Sequence, residues 1–107
     1  KVREARYNQD AALLQARAEV ESARQAILDA RRTLGSGERL EALAARNRDL
    51  VRTQYELGVA DQTLLLDSDR EHLNARIQVI QARLRLTLAT LSWSKSVGAF
   101  LEVVDRL

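Results

Sequence analysis

The sequence predicts an all-α fold, a long antiparallel helical hairpin similar to a coiled coil. Ala, Leu, Arg, Glu and Gln dominate the 107 residues, proline is absent, and aromatic residues make up only 4%, a composition typical of long helices. Apolar residues recur in alternating steps of three and four. No stretch shows the alternating pattern of a strand. The length allows one domain at most, so we expect residues 1–107 to form a single hairpin.

The first helix is predicted over about residues 1–57. Its first apolar seam has heptad spacing and consists of Leu13, Ala16, Val20, Ala23, Ile27, Ala30 and Leu34. The segment Gly35–Gly37 then interrupts the pattern, and two glycines cost a helix interior about 2 kcal/mol relative to alanine. The helix is therefore expected either to bend or to break there. A later seam, out of phase with the first, consists of Leu40, Leu43, Asn47, Leu50, Gln54 and Leu57.

The tip of the hairpin is predicted at residues 58–60. Gly58 has no Cβ and so adopts the left-handed conformation that ends helices. Asp61 is placed to accept the free amide hydrogens at the start of the next helix. A connection this short makes the two helices antiparallel neighbours.

The second helix is predicted over about residues 61–97, with a short further segment at 98–107 because Gly98 is a plausible end. It carries two apolar seams. One consists of Leu73, Ile77, Ile80, Leu84, Thr87 and Leu91, the other of Val79, Ala82, Leu86, Ala89 and Trp93. A helix with two seams packs against two neighbours, whereas a hairpin offers it one. The second helix is therefore expected to need a partner outside the hairpin, as in a ring or wall of helices.

Composition and charge argue against several functions. The net charge is only +2, from 17 basic and 15 acidic residues, which argues against a nucleic-acid partner. The longest uncharged run, residues 86–94, is far shorter than the ~18 residues of a membrane span. Asp69 and His72 share a helix face but supply too few ligands for a metal. No catalytic or phosphate-binding motif is present, so neither an enzyme nor a cofactor is expected.

Several short motifs resemble the C-terminal half of the TolC-like outer-membrane efflux channels. They are the tip Tyr55-Glu-Leu-Gly-Val59, the following Leu65-Leu-Asp-Ser-Asp-Arg70, the closing Ser92-Trp-Ser-Lys-Ser-Val-Gly98 and, upstream, Ala16-Arg-Ala-Glu-Val-Glu21. Their order and spacing resemble the family over nearly the whole chain.

The resemblance implies a helix pair of the periplasmic α-barrel of a trimeric channel for efflux, including multidrug efflux, or for type I secretion. It implies a homotrimer in the periplasm and outer membrane of a Gram-negative bacterium. The partners would be a periplasmic adaptor protein and an inner-membrane pump, and contact with the outer membrane would be made by regions outside this sequence.

The resemblance also implies roles for residues near the tip. Asp67 would form an acidic ring with two other copies, which would constrict the mouth and favour cations. Arg70 would pair with Asp67 or with a neighbouring subunit, and Tyr55 would tie the two helices together while the mouth is shut. The apolar tip offered to the adaptor would consist of Leu57, Gly58, Val59 and Ala60.

Three alternatives remain from the sequence. The chain could be the coiled-coil hairpin of a periplasmic adaptor, although the double seam of the second helix argues against it. It could be a structural hairpin used for oligomerisation. A true break at Gly35–Gly37 would instead give a compact three-helix bundle.

Overall fold

The computed structural model describes residues 2–107, which form two long α-helices joined by a short turn. Helix α1 runs over Val2–Glu56 and helix α2 over Gln62–Asp105, with 55 and 44 residues. No strand occurs within residues 2–107. The all-α helical hairpin predicted from the sequence is thus confirmed.

The described chain comprises two compact units, each of which contains part of both helices. In one unit, residues 2–30 of α1 belong with residues 85–107, which contain the last part of α2. The other unit, Arg31–Leu84, contains the turn and the two helix segments that flank it. We call this second unit the tip unit.

Of the two outcomes expected at Gly35–Gly37, a bend or a break, the break does not occur, because α1 is continuous through these residues. The buried seam passes through them without a change of phase. Along α1 a series of positions with reduced exposure runs through Leu13, Ala16, Val20, Ala23, Ile27, Ala30, Leu34, Gly37, Glu41, Ala44, Arg48 and Val51, and Leu28, Gly35, Ala45 and Gln54 are half-buried outside this series. Every step in this series is three or four residues, in strict alternation, which is an uninterrupted heptad pattern. Gly37 is therefore a seam position and not a break.

The out-of-phase seam predicted after Gly37 is also misplaced. Its leucines are exposed, Leu40 to 54%, Leu43 to 60% and Leu50 to 57% of their full surface. The seam that packs against α2 in the tip unit instead contains glycine, alanine and two charged residues. Leu40, Leu43 and Leu50 thus lie outside the hairpin seam of the tip unit.

In helix α2, only one of the two predicted seams is buried. Val79 is exposed to only 2% and Ala82 to 6%, whereas Ile80 and Leu84 remain exposed. The buried seam of α2 in the tip unit consists of Leu65, Ser68, His72, Ala75, Val79 and Ala82. The predicted end near residue 97 is wrong, since α2 continues through Gly98 to Asp105. Half-buried Phe100 and Val103 continue the heptad and stabilise this last part of the helix.

Close approach of the two helices in the tip unit depends on small seam residues. A Cβ built on Gly37 would lie 3.5 Å from Val79 Cγ2, an ordinary van der Waals distance. There is thus room for a methyl group at this position but for nothing larger without displacing Val79. Glu38 and Arg83 flank the same level, with Arg83 Nη2 at 3.8 Å from Glu38 Oε1. Both side chains are largely exposed, so this ion pair contributes little.

We predict that Gly37→Ala stabilises the chain and that Gly37→Leu destabilises it. Alanine gains about 1 kcal/mol of helix propensity and its Cβ meets Val79 without a clash, whereas leucine overpacks the seam at a cost of about 1–3 kcal/mol. Urea denaturation followed by circular dichroism measures both effects. Gly35→Ala is the matched control, because its Cβ would meet nothing within 4 Å and should give the propensity gain alone. Equal stability of Gly37→Ala and Gly37→Leu would contradict the packing argument.

Candidate functional site at the hairpin tip

The turn at the tip is closed by backbone hydrogen bonds around a left-handed glycine. Gly58 has φ +80°, and its amide donates to the carbonyl of Tyr55 at 3.0 Å, while the amide of Val59 donates to the carbonyl of Gln54 at 2.8 Å. These two bonds define a Schellman motif, with Gly58 at the position that requires positive φ. The sequence-based prediction of Gly58 as the stop of helix 1 is confirmed.

Asp61 begins α2 as its N-cap. Its Oδ1 accepts a hydrogen bond of 2.9 Å from the amide of Leu64, and its carbonyl accepts the first helical bond, from the amide of Leu65. The side chain thereby satisfies one of the free donors at the helix start. The predicted cap is confirmed, and the tip has a defined geometry set by Gly58 and Asp61.

The predicted gate residues lie near this tip but do not pair with each other. Asp67 and Arg70 are both exposed on the outer surface of α2, one turn apart. Within residues 2–107, Asp67 forms no hydrogen bond and no ion pair. The proposed pairing of Asp67 with Arg70 in one helix is therefore not formed. The carboxylate of Asp67 remains available to another molecule.

Tyr55 and three of the four predicted adaptor-docking residues are exposed. Tyr55 is exposed to 42%, and within the described chain its hydroxyl has no hydrogen-bond partner, so it does not tie the two helices together here. At the turn itself, Leu57 and Val59 are exposed to 73% and 77%. Gly58 lies between them, and Ala60 is half-buried. Apolar side chains thus project into solvent on either side of Gly58.

A polar layer in the helix seam close to the tip was not predicted from the sequence. Arg48 and His72 occupy opposing seam positions, and Arg48 Nη1 lies 3.2 Å from His72 Nδ1. Asp69 lies one turn before His72 in α2 and is half-buried. The phase of the first seam, continued through Gly37, would have placed Arg48 in this layer. The leucines at Leu40 and Leu43 obscured that phase.

Ser68 is a buried seam residue of α2 that lies between this layer and the turn. Its side chain is exposed to only 2%, and its hydroxyl donates to the carbonyl of Leu65 at 2.8 Å. Because the helix itself satisfies the hydroxyl, Ser68 acts as a small spacer in the seam. Val51 of α1, exposed to 4%, is buried at the same end of the tip unit. The helices are therefore tightly packed just behind the exposed Asp67.

Each helix of the tip unit also carries an exposed apolar stripe. On α1 the stripe consists of Leu40, Leu43, Leu50 and Leu57, and on α2 of Leu73, Ile77, Ile80 and Leu84; all eight are exposed. If the buried seam residues are assigned to heptad positions a and d, the α1 stripe lies at positions g and c, and the α2 stripe lies at positions b and f. In a pair of antiparallel helices, position g of one helix faces position g of the other, and position e faces position e. The pair therefore has two flanks, one formed by the c and g positions of both helices and the other by their e, b and f positions. The two stripes therefore lie on opposite flanks.

The described residues offer few groups for metal or membrane chemistry. Among residues 2–107, no three His, Cys, Asp or Glu side chains converge as a metal site. None of the described helices is long and apolar enough to cross a bilayer. The chain matches no family model, no curated protein and no solved structure. The TolC-like resemblance thus depends on the sequence motifs alone.

We predict that Asp61→Ala lowers the free energy of unfolding by about 1 kcal/mol, because the amide of Leu64 loses its side-chain acceptor. Asp61→Asn is the matched control, since asparagine is an equally good N-cap and should retain most of the stability. Chemical denaturation of the two variants provides the comparison. If Asp61→Asn lost as much stability as Asp61→Ala, the carboxylate charge and not the capping bond would be responsible.

Proposed function

We propose that this chain is a helix pair in the wall of a periplasmic tunnel, part of a trimeric TolC-like outer-membrane channel for efflux or type I secretion. The observation that carries the proposal is the pair of exposed apolar stripes on opposite flanks of the tip unit. A helix pair with one such stripe would suit a single partner. Two stripes on opposite flanks suit a closed ring, in which each pair contacts one neighbour on either side.

The spacing of the stripes supports side-by-side packing of hairpins. In the tip unit Arg48 faces His72 and Glu38 faces Arg83, so residues at the same level have numbers that sum to about 120. By this rule Leu40 lies level with Ile80, and Leu43 with Ile77. A similar hairpin placed alongside, in the same orientation, would bring one stripe against the other, leucine to isoleucine. Apolar burial of this kind contributes about 25 cal/mol per Å².

The tip supports the second part of the proposal, a gate and a docking point. Asp67 is exposed, its carboxylate has no partner among residues 2–107, and it lies about one turn past the start of α2. Several copies around an axis would place their Asp67 carboxylates near each other, and a ring of like charge attracts cations. The exposed Leu57 and Val59 at the turn would dock on the helical hairpins of a periplasmic adaptor, which in turn would bind an inner-membrane pump.

We predict that Ile80→Glu prevents trimer formation by the channel subunit that contains this chain. A charge in the α2 stripe would be buried without a partner on assembly, which costs several kcal/mol. Crosslinking in isolated outer membranes, followed by electrophoresis, measures the trimer fraction. Gln81→Glu is the matched control, because it adds the same charge at an adjacent exposed position outside the stripe. Normal trimers with Ile80→Glu would instead favour an adaptor hairpin or another hairpin with a single partner.

We predict that Asp67→Ala raises the conductance of the closed channel and weakens its block by multivalent cations. Removal of the carboxylate removes both the constricting side chain and the cation site. Recordings of the complete channel in planar bilayers measure both quantities. Asp67→Glu, which preserves the charge, serves as the control and should retain cation block. A closed-state current unchanged by Asp67→Ala would argue against the gate.

A further inference from the structure

We propose that the layer formed by Arg48, His72 and Asp69 is a protonation switch, in which protonation of His72 exchanges an interhelical hydrogen bond for an intrahelical one. At higher pH Arg48 of α1 would hold neutral His72 of α2. At lower pH charged His72 would pair with Asp69 on its own helix. The tie between the helices at this layer would then be lost.

The first half of the switch follows from the contact between Arg48 and His72. Arg48 Nη1 lies 3.2 Å from His72 Nδ1, and a guanidinium only donates hydrogen bonds. Nδ1 must therefore be the acceptor, which requires a neutral imidazole with its proton on Nε2. Protonation of Nδ1 removes the acceptor and places two cations in contact. The arrangement in the structure is thus specific to the neutral form of His72.

The second half follows from an acceptor that the layer leaves unused. Asp69 Oδ1 is buried, and within residues 2–107 it has no hydrogen-bond partner. Asp69 precedes His72 by three residues, so both side chains lie on the same face of α2. A buried carboxylate oxygen without a donor is costly. A protonated His72 would supply the donor that this oxygen lacks.

Arg48 is also only partly satisfied, so little holds it in place once His72 is charged. Its Nε is buried without a partner in the described chain. Its Nη2 lies 3.6 Å from Asp49 Oδ1, on the solvent side of the layer, where Asp49 is exposed to 71%. When the bond to His72 is lost, Arg48 can move outward to Asp49.

The other charged groups near His72 do not oppose the exchange. On α2, Glu71 is adjacent to His72 and Arg76 follows it by one turn; both are exposed. On α1, Arg52 lies one turn past Arg48 and is exposed, and half-buried Glu41 lies two turns before it. Arg48 is therefore the cation in contact with His72, and Asp69 is a half-buried carboxylate one turn away on the same face of α2. The interhelical bond therefore exists when His72 is neutral and is lost as the pH falls.

The tautomer of His72 provides a direct test, because it is the only histidine in the chain. Nitrogen chemical shifts of the imidazole, measured on the ¹⁵N-labelled 107-residue chain, distinguish the two nitrogens. At about pH 8, where free histidine is neutral, we expect a proton on Nε2 and a bare Nδ1. A proton on Nδ1 at that pH would overturn the proposal, since Arg48 could not then donate to it.

Spin labels measure the loss of the tie between the helices. The chain has no cysteine, so Arg46→Cys and Asn74→Cys place labels at exposed positions beside the layer on the two helices. Between about pH 8 and pH 5 we expect the distance distribution to shift to longer values. His72→Asn is the matched control, because its amide oxygen replaces the Nδ1 acceptor but does not titrate. An equal shift in His72→Asn, or no shift in the parent chain, would overturn the proposal.

Asp69→Asn tests the exchange of partners. The amide no longer offers a charged acceptor to protonated His72, so the distance change should require a lower pH than in the parent chain. A distance change at the same pH in the parent chain and in Asp69→Asn would show that Asp69 is not the second partner and would overturn that half of the proposal.

Discussion

Packing between the two helices depends on the continuity of one heptad seam in which small residues alternate with larger ones. Alanine, glycine and serine at these positions allow close approach, and the Val79 methyl group next to Gly37 is the clearest instance. Because the steps of three and four never change phase from Leu13 to Val51, α1 remains a single helix. The same phase carries Arg48 into the seam opposite His72, and it leaves the larger leucines outside.

Local chemistry made the tip predictable from sequence. A glycine at the helix end and an aspartate three residues later specify a Schellman motif and an N-cap, and both form with normal hydrogen bonds. These signals depend on the residues within one turn and not on the remainder of the fold. The two apolar seams of α2 could also be identified from the sequence, because both are strongly apolar. The burial of Val79 and Ala82 then shows that their seam is the one that packs within the hairpin.

Predictions failed where packing overrode propensity. Two glycines near residue 36 weaken an isolated helix, but the contact of Gly37 with Val79 makes a small residue useful there. The phase of α1 beyond Gly37 was assigned from its leucines, which are the most hydrophobic residues present but lie at flank positions. The polar layer of Arg48 and His72 was missed for the same reason, since its residues follow the weaker pattern. Distant partners, not local sequence, determine these features.

The exposed leucines have a consequence for how this chain would behave in dilute solution. A hairpin that buries alanines while Leu43 and Ile80 face water gains little free energy from its own seam. Any molecule that covers these residues binds only the folded form, and mass action then adds to its stability. If that molecule is another copy of the chain, the melting temperature rises with chain concentration.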